Sequence, residues 1–323
     1  MQAVFCIKSP RTAENIFILS KGGLFLFTGR TDLALEAREY LTQHGARLPD
    51  GVSCREYRRG MADVTRIDIE SEEGELALCK PRGCYVTVAL PELWMRDADS
   101  VLTTAQTLSG ELAPLLPAEG PVLAVGLGNR FITPDAVGPL CMRQVIVTRH
   151  LIEQMPDEFR GLRPVCALSA GVLGLTGIET AEIVRGVVQR VRPAAVIAVD
   201  ALAARSVSRL CRTFQLSDTG ITPGGGALNS RMALDRQTLG VPVIAVGVPT
   251  VVDALTLTAD TLEQAGARLP EDPRLREREN LLVTPKDIDA LVQKSAKVIG
   301  WAVNLALQGD MTAAEMEQFL SLS

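Results

Sequence analysis

The chain has 323 residues, 47% of them hydrophobic, with a formal net charge of −5 and a pI near 5.3. That is ample for a sizeable core, in one large domain or two smaller ones. Basic residues form no long run and aromatics make up only 4%, so neither charge nor base stacking points to a direct nucleic-acid partner.

Residues 1–30 match no periodic template; their short apolar patches, Ile16–Ser20 and Leu24–Thr28, are split by charged residues and glycine. Residues 31–45 (TDLALEAREYLTQHG) predict a helix capped by Thr31 or Asp32 and stopped at Gly45. An antiparallel meander is expected next, at about 64–90. Val64–Ser71 alternates, Glu75–Lys80 continues, and Tyr85–Leu90 alternates again, with turns at Glu72-Glu73-Gly74 and Pro81-Arg82-Gly83. Asp99–Ala113 reads as an amphipathic helix closed by Pro114.

From about residue 120 apolar strands alternate with helices. Strands are expected at Val122–Gly126, Pro164–Leu168, Ala195–Val199 and Val243–Val248, and helices at Gly138–Ile152 and Gly177–Val191. Thr284-Pro285-Lys286-Asp287 opens a long helix to about Gln308, and a short one covers Ala313–Leu320. The alternation predicts an α/β fold: a three-layer, mostly parallel sheet with an antiparallel β extension from the N-terminal third. Two Gly-rich loops, Ser169–Gly177 and Asp218–Arg231, are long enough to suggest function.

The seven cysteines (Cys6, Cys54, Cys79, Cys84, Cys141, Cys166, Cys211) are odd in number, irregularly spaced and without a C-x-x-C, as expected for reduced thiols in a cytoplasmic protein. Only His44 and His150 could join them, so no metal site is expected. No apolar stretch reaches the ~18 residues that span a bilayer. No secretory signal is evident, and no membrane partner is expected.

Two aspartates stand out. Asp135 lies in VLAVGLGNRFITPDAVG and Asp200 in AAVIAVDALAAR, each read as a carboxylate at the carboxyl end of a buried strand, the edge where open α/β sheets bind ligands. Asp135 is also compatible with capping the helix from Gly138. Asp200 is compatible with capping a helix from Ala201, or with an ion pair to Arg205. If both carboxylates share one edge they form an acid/base pair able to activate water and protonate a leaving amine. The GLGN tetrapeptide at 126–129 lacks the third glycine of a dinucleotide fingerprint, and the Pro223–Gly226 loop lacks a Walker lysine. No cofactor is expected. His150 has the look of a core or capping histidine, and no serine sits in a nucleophile elbow.

Taken together, RTDLALEARE (30–39), EGELALCKPRGCYVTVALPEL (73–93), GLGNRFITPDAVGP (126–139), VTRH (147–150), AVIAVDALAARS (195–206), DTGITPGGGALNSR (218–231), VPVIAVGVPTVVDA (241–254) and VTPKDID (283–289) resemble the spore germination protease family. The resemblance implies an atypical aspartic endopeptidase, without a metal, whose substrates are small acid-soluble spore proteins. It also implies a fold similar to that of the hydrogenase maturation proteases.

It places the catalytic pair at Asp135 and Asp200, and offers Asn129, Arg149, His150, Arg205, Asp218, Thr219, Gly224 and Gly225 as supporting or substrate-binding residues. A zymogen with a removable N-terminal propeptide, a homotetramer and a spore-core location follow by the same route. Residues 1–30 are the propeptide candidate, and 31–323 a single peptidase domain. The glycine loop departs from the family pattern, reading PGGGALN where PGSGVGN is expected. Two rival readings are a metal-dependent maturation-type peptidase and a non-catalytic α/β protein that binds peptides or a nucleotide.

Overall fold

The computed structural model describes backbone strands at 5–6, 16–20 and 23–27, and then residues 31–95, 100–223, 232–267, 281–309 and 311–321. The first 30 residues, which match no periodic template, contribute β1 (Phe5–Cys6), β2 (Ile16–Ser20) and β3 (Gly23–Phe27), an antiparallel three-stranded sheet.

The main sheet grows from runs of β-branched and small apolar residues. In chain order it takes β4 (Val52–Arg59), β5 (Ala62–Ile69), β6 (Gly83–Ala89), β7 (Val122–Gly126), β8 (Val165–Ser169), β9 (Ala195–Ala204), β10 (Thr213–Ser217), β11 (Val243–Asp253) and β12 (Leu282–Val283). Spatial order is β4-β5-β6-β10-β11-β9-β7-β8, with β12 paired to the end of β11. The sheet is mixed rather than mostly parallel. Its parallel part is β11-β9-β7-β8, and β10 joins it antiparallel to the β4–β6 meander.

The helices are α1 (Ala34–Gln43), α2 (Glu72–Leu78), α3 (Ser100–Leu112), α4 (Val137–Met142), α5 (Arg149–Gln154), α6 (Leu173–Thr176), α7 (Thr180–Val191), α8 (Arg236–Leu239), α9 (Ala254–Gln264), α10 (Ile288–Gln308) and α11 (Ala313–Ser321). Strand alternation fixes the three layers. Ile197, Val199, Phe214, Leu216, Val246 and Val248 face the core under α3, α4 and α10. Leu123, Val125, Val196 and Ala198 face the opposite one, under α7 and α8.

Several expectations are corrected. Glu75–Lys80 is not a strand: Ser71 accepts the Gly74 N–H (3.0 Å) and caps α2, whose three first-turn glutamates suit a helix N-terminus. The single helix over Gly138–Ile152 is two short ones, α4 and α5. Neither Thr31 nor Asp32 caps α1; the cap position is Leu33. Strands β4 and β10 were not expected, the one too polar and the other too short to stand out, and helix α9 was not expected either.

Candidate active site

β9 outlasts its neighbour. β7 pairs with it only as far as Gly126 opposite Val199, and the Leu127 N–H then donates to Val199 O (2.8 Å). β9 continues to Ala204, so Asp200 neither ends the strand nor caps a helix at Ala201. It lies within the strand, one residue past the point where β7 leaves. Asp200 shares the face of Val196, Ala198 and Leu202, away from α10. It is 4% exposed, and its carboxylate accepts the Ala201 N–H (2.9 Å). It lines a cleft of about 270 Å³ whose polar walls include Asp32, Lys80, Tyr85, Gln215, Ser217 and Thr219.

Asp135 reaches the same end of the sheet by a different route. After Leu127 the chain loops out and returns through a single 3₁₀ turn, Thr133–Asp135. Asp135 therefore does not sit on the strand end itself. Its Oδ2 accepts the Asn129 N–H (2.7 Å), an amide on the loop before it rather than on the helix after it. Asn129 Oδ1 accepts the Phe131 N–H (3.0 Å) and tightens the loop. On β11 the register shifts between Pro249 and Val251, and Thr250 at this irregularity donates to Pro134 O (2.7 Å). Bulges beside functional sites commonly re-aim a side chain in this way.

The glycines of GLGN serve this turn, with no dinucleotide involved. A Cβ on Gly128, whose φ is +99°, would lie 2.1 Å from Asp135 O and 2.9 Å from its Oδ1. A Cβ on Gly126 would meet Gly138 O at 2.3 Å. The turn packs against β9, β11 and α10. Asp135 and Asp200 are thus both anchored where β7 parts from β9, but Asp200 lines the cleft and Asp135 does not.

The supporting residues divide. Thr219 is at the cleft, where its hydroxyl donates to the Tyr85 hydroxyl (3.2 Å) and meets the Ser217 hydroxyl (2.7 Å). Burial pushes the Tyr85 phenol well above its ordinary value, so it stays protonated and donates to Pro81 O (2.8 Å). Asp218 instead accepts the Cys84 N–H (2.8 Å) and ties the end of β10 to the start of β6. Arg205 lies about 16 Å along the strand from Asp200. There its guanidinium pairs with Asp260 (3.3 Å) and Glu263 and stacks over Tyr40, so it does not serve as the counter-charge expected for Asp200.

Arg149 and His150 open α5, next to Thr148, which is bonded to Arg163 O and Val165 N at the start of β8. That is the opposite end of the parallel strands; His150 is exposed and Arg149 pairs with Glu153 (2.8 Å). Gly224 and Gly225 lie outside the described residues. Asp32, Lys80, Tyr85, Gln215 and Ser217 are cleft residues that the sequence reading passed over. For two of them a signal existed: TFQLS alternates, with Phe214 and Leu216 in the core and Gln215 and Ser217 on the cleft face.

Three of the described thiols are not nucleophilic. Burial pushes Cys84 and Cys211 up to about 12 and Cys141 higher still, so all three remain protonated near neutral pH.

Glu36 closes the far end of β9. Its carboxylate accepts the Arg205 N–H (2.7 Å), the Ser206 N–H (3.0 Å) and the Thr31 hydroxyl. Burial raises its pKa above 4.5 despite those donors, so the folded state holds this proton more tightly than the unfolded chain. Its contribution to stability is therefore most favourable below pH 4.5 and declines as pH rises through the raised pKa. Relative to Glu36→Gln, the wild-type unfolding free energy is expected to fall over that window and then level off, read from urea denaturation at stepped pH.

A family model described as germination protease matches residues 31–270. Curated germination proteases align over most of the chain. That of Caldanaerobacter subterraneus subsp. tengcongensis is 45% identical over 90% of this chain and 98% of its own length. That of Clostridium tetani is 40% identical over 90% and 99%. Among solved structures, a [NiFe] hydrogenase maturation protease HycI from Thermococcus kodakarensis KOD1 matches at 17% identity with a TM-score of 0.31. It covers 58% of this chain and 98% of that one, too slight a likeness to bear on fold or function. With family model and relatives in agreement over most of its length, the chain belongs to the germination protease family and is a peptidase.

Proposed function

We propose that this peptidase is an endopeptidase that begins the degradation of small acid-soluble spore proteins during germination, with Asp135 and Asp200 carrying the hydrolysis. The observation that supports this best is Asp200: a buried carboxylate lining a cleft, on a strand that runs past its neighbour. One aspartate draws a proton from water as it attacks the scissile carbonyl, and the other, protonated, delivers one to the departing amine. This reading assigns the acid and base roles to the pair and not to either aspartate singly.

In this reading residues 1–30 are a propeptide, and the enzyme acts as a homotetramer in the spore core. Asp32, just after that segment, lines the cleft. The test is incubation of the purified protein with a small acid-soluble spore protein and mass-spectrometric mapping of new termini, with and without chelator. Cleavage is expected to persist with chelator and to drop about 10²–10⁴-fold in Asp135→Asn at unchanged melting temperature. Full activity in that variant, or activity that vanishes with chelator and returns with metal, would reject the aspartate mechanism.

A further inference from the structure

The part of β9 that outlasts β7 has no strand beside it on that side among the described residues. The Val196 N–H donates to Pro242 O (2.9 Å), beside β11, so even-numbered residues of β9 turn their amides to β11. Odd-numbered ones face the β7 side. There Val199 O still receives the Leu127 N–H, and among the described residues no strand follows.

Three amides lie on that side, and each is held within the chain: the Ala201 N–H donates to Asp200 Oδ1 (2.9 Å), so at Ala201 the carbonyl is the group left to face a partner. Ala203 N–H donates to Asp32 Oδ2 (2.7 Å) and Arg205 N–H to Glu36 Oε2 (2.7 Å), so carboxylates of the chain close the far end. The Asp32 N–H also donates to Ala203 O (2.9 Å), which means that an extended backbone already fits against this edge. Ala201 lies between the departure of β7 and Asp32. Its side chain packs toward the α10 core, and the residue lines the cleft beside Asp200.

We propose that the polypeptide substrate docks by laying a short extended segment along this edge, the N–H of one substrate residue donating to Ala201 O. This rests on the reading of the cleft as the peptidase site. Edge pairing uses main-chain hydrogen bonds common to every sequence, and it holds the bound peptide next to the Asp200 carboxylate. Asp32 at Ala203 limits the paired stretch to the front of the cleft. Because β pairing alternates, only substrate residues of one parity turn their N–H to the edge.

The test is a peptide that the enzyme cleaves, remade with single amide-to-ester replacements at every position other than the scissile bond. Replacement at the residue whose N–H meets Ala201 O is expected to raise KM about fivefold, the value of one net hydrogen bond, with both adjacent positions unaffected. Unchanged KM across the series, with the parent still cleaved, overturns edge docking and leaves the peptidase reading standing. Failure to cleave any all-amide spore-protein peptide removes both.

Discussion

Replacing Asp200 with Asn is expected to lower kcat by about 10²–10⁴-fold, the range lost when a positioned acid or base is removed. The fold should survive the change. Asp200 is 4% exposed and its carboxylate oxygen accepts the Ala201 N–H, a bond that the Asn oxygen can still make. Removing an ionisable group from a buried position also removes its desolvation penalty, so the melting temperature should hold or rise. Circular dichroism and a melting curve, taken beside a cleavage assay, separate chemistry from stability. Undiminished cleavage by Asp200→Asn would exclude this carboxylate from the reaction.

Gly138→Ala is expected to be the most damaging substitution to the framework. A Cβ there would lie 2.2 Å from Leu127 O and 2.5 Å from both Leu127 N and Val199 O. All three are main-chain atoms, so no side-chain rotation relieves the overlap. Overpacking of this kind costs typically ~1–3 kcal/mol and sometimes more. The upper end is expected here, because the Leu127–Val199 hydrogen bond is pushed apart as well. The Asp135 turn sits just before Gly138, so cleavage should fall even in the fraction that folds. Urea denaturation and activity measured on one preparation would show both effects. A variant with wild-type stability and turnover would mean that the 133–138 segment does not need its close approach to β7.

Local pattern carried much of the fold. Val122–Gly126 reads as a strand because five consecutive apolar or small residues suit a position covered on both faces, and it is one. The long helix after Pro285 and its short successor were equally plain, since their apolar period spans several turns. The same reasoning failed at Glu75–Lys80, where Ser71 as cap outweighs a short apolar alternation. It failed again at Gly138–Ile152, where a helical period over many residues does not reveal a break between two short helices.

The sequence by itself determined that two aspartates follow apolar strand runs, inside motifs of one peptidase family. Tertiary structure alone decided their settings. Asp200 is inside β9 because β11 goes on pairing with it after β7 has left, and strand length depends on the partner as much as on the residues. Asp135 comes back to that point because three glycines let two stretches of backbone lie in contact, a closeness that no spacing in the chain encodes. The same long-range contacts carry Arg205 away to Asp260 and Glu263 and bring Asp32 and Lys80 into the cleft. Hydrogen bonds and ion pairs between residues far apart in sequence exist only once the sheet has formed.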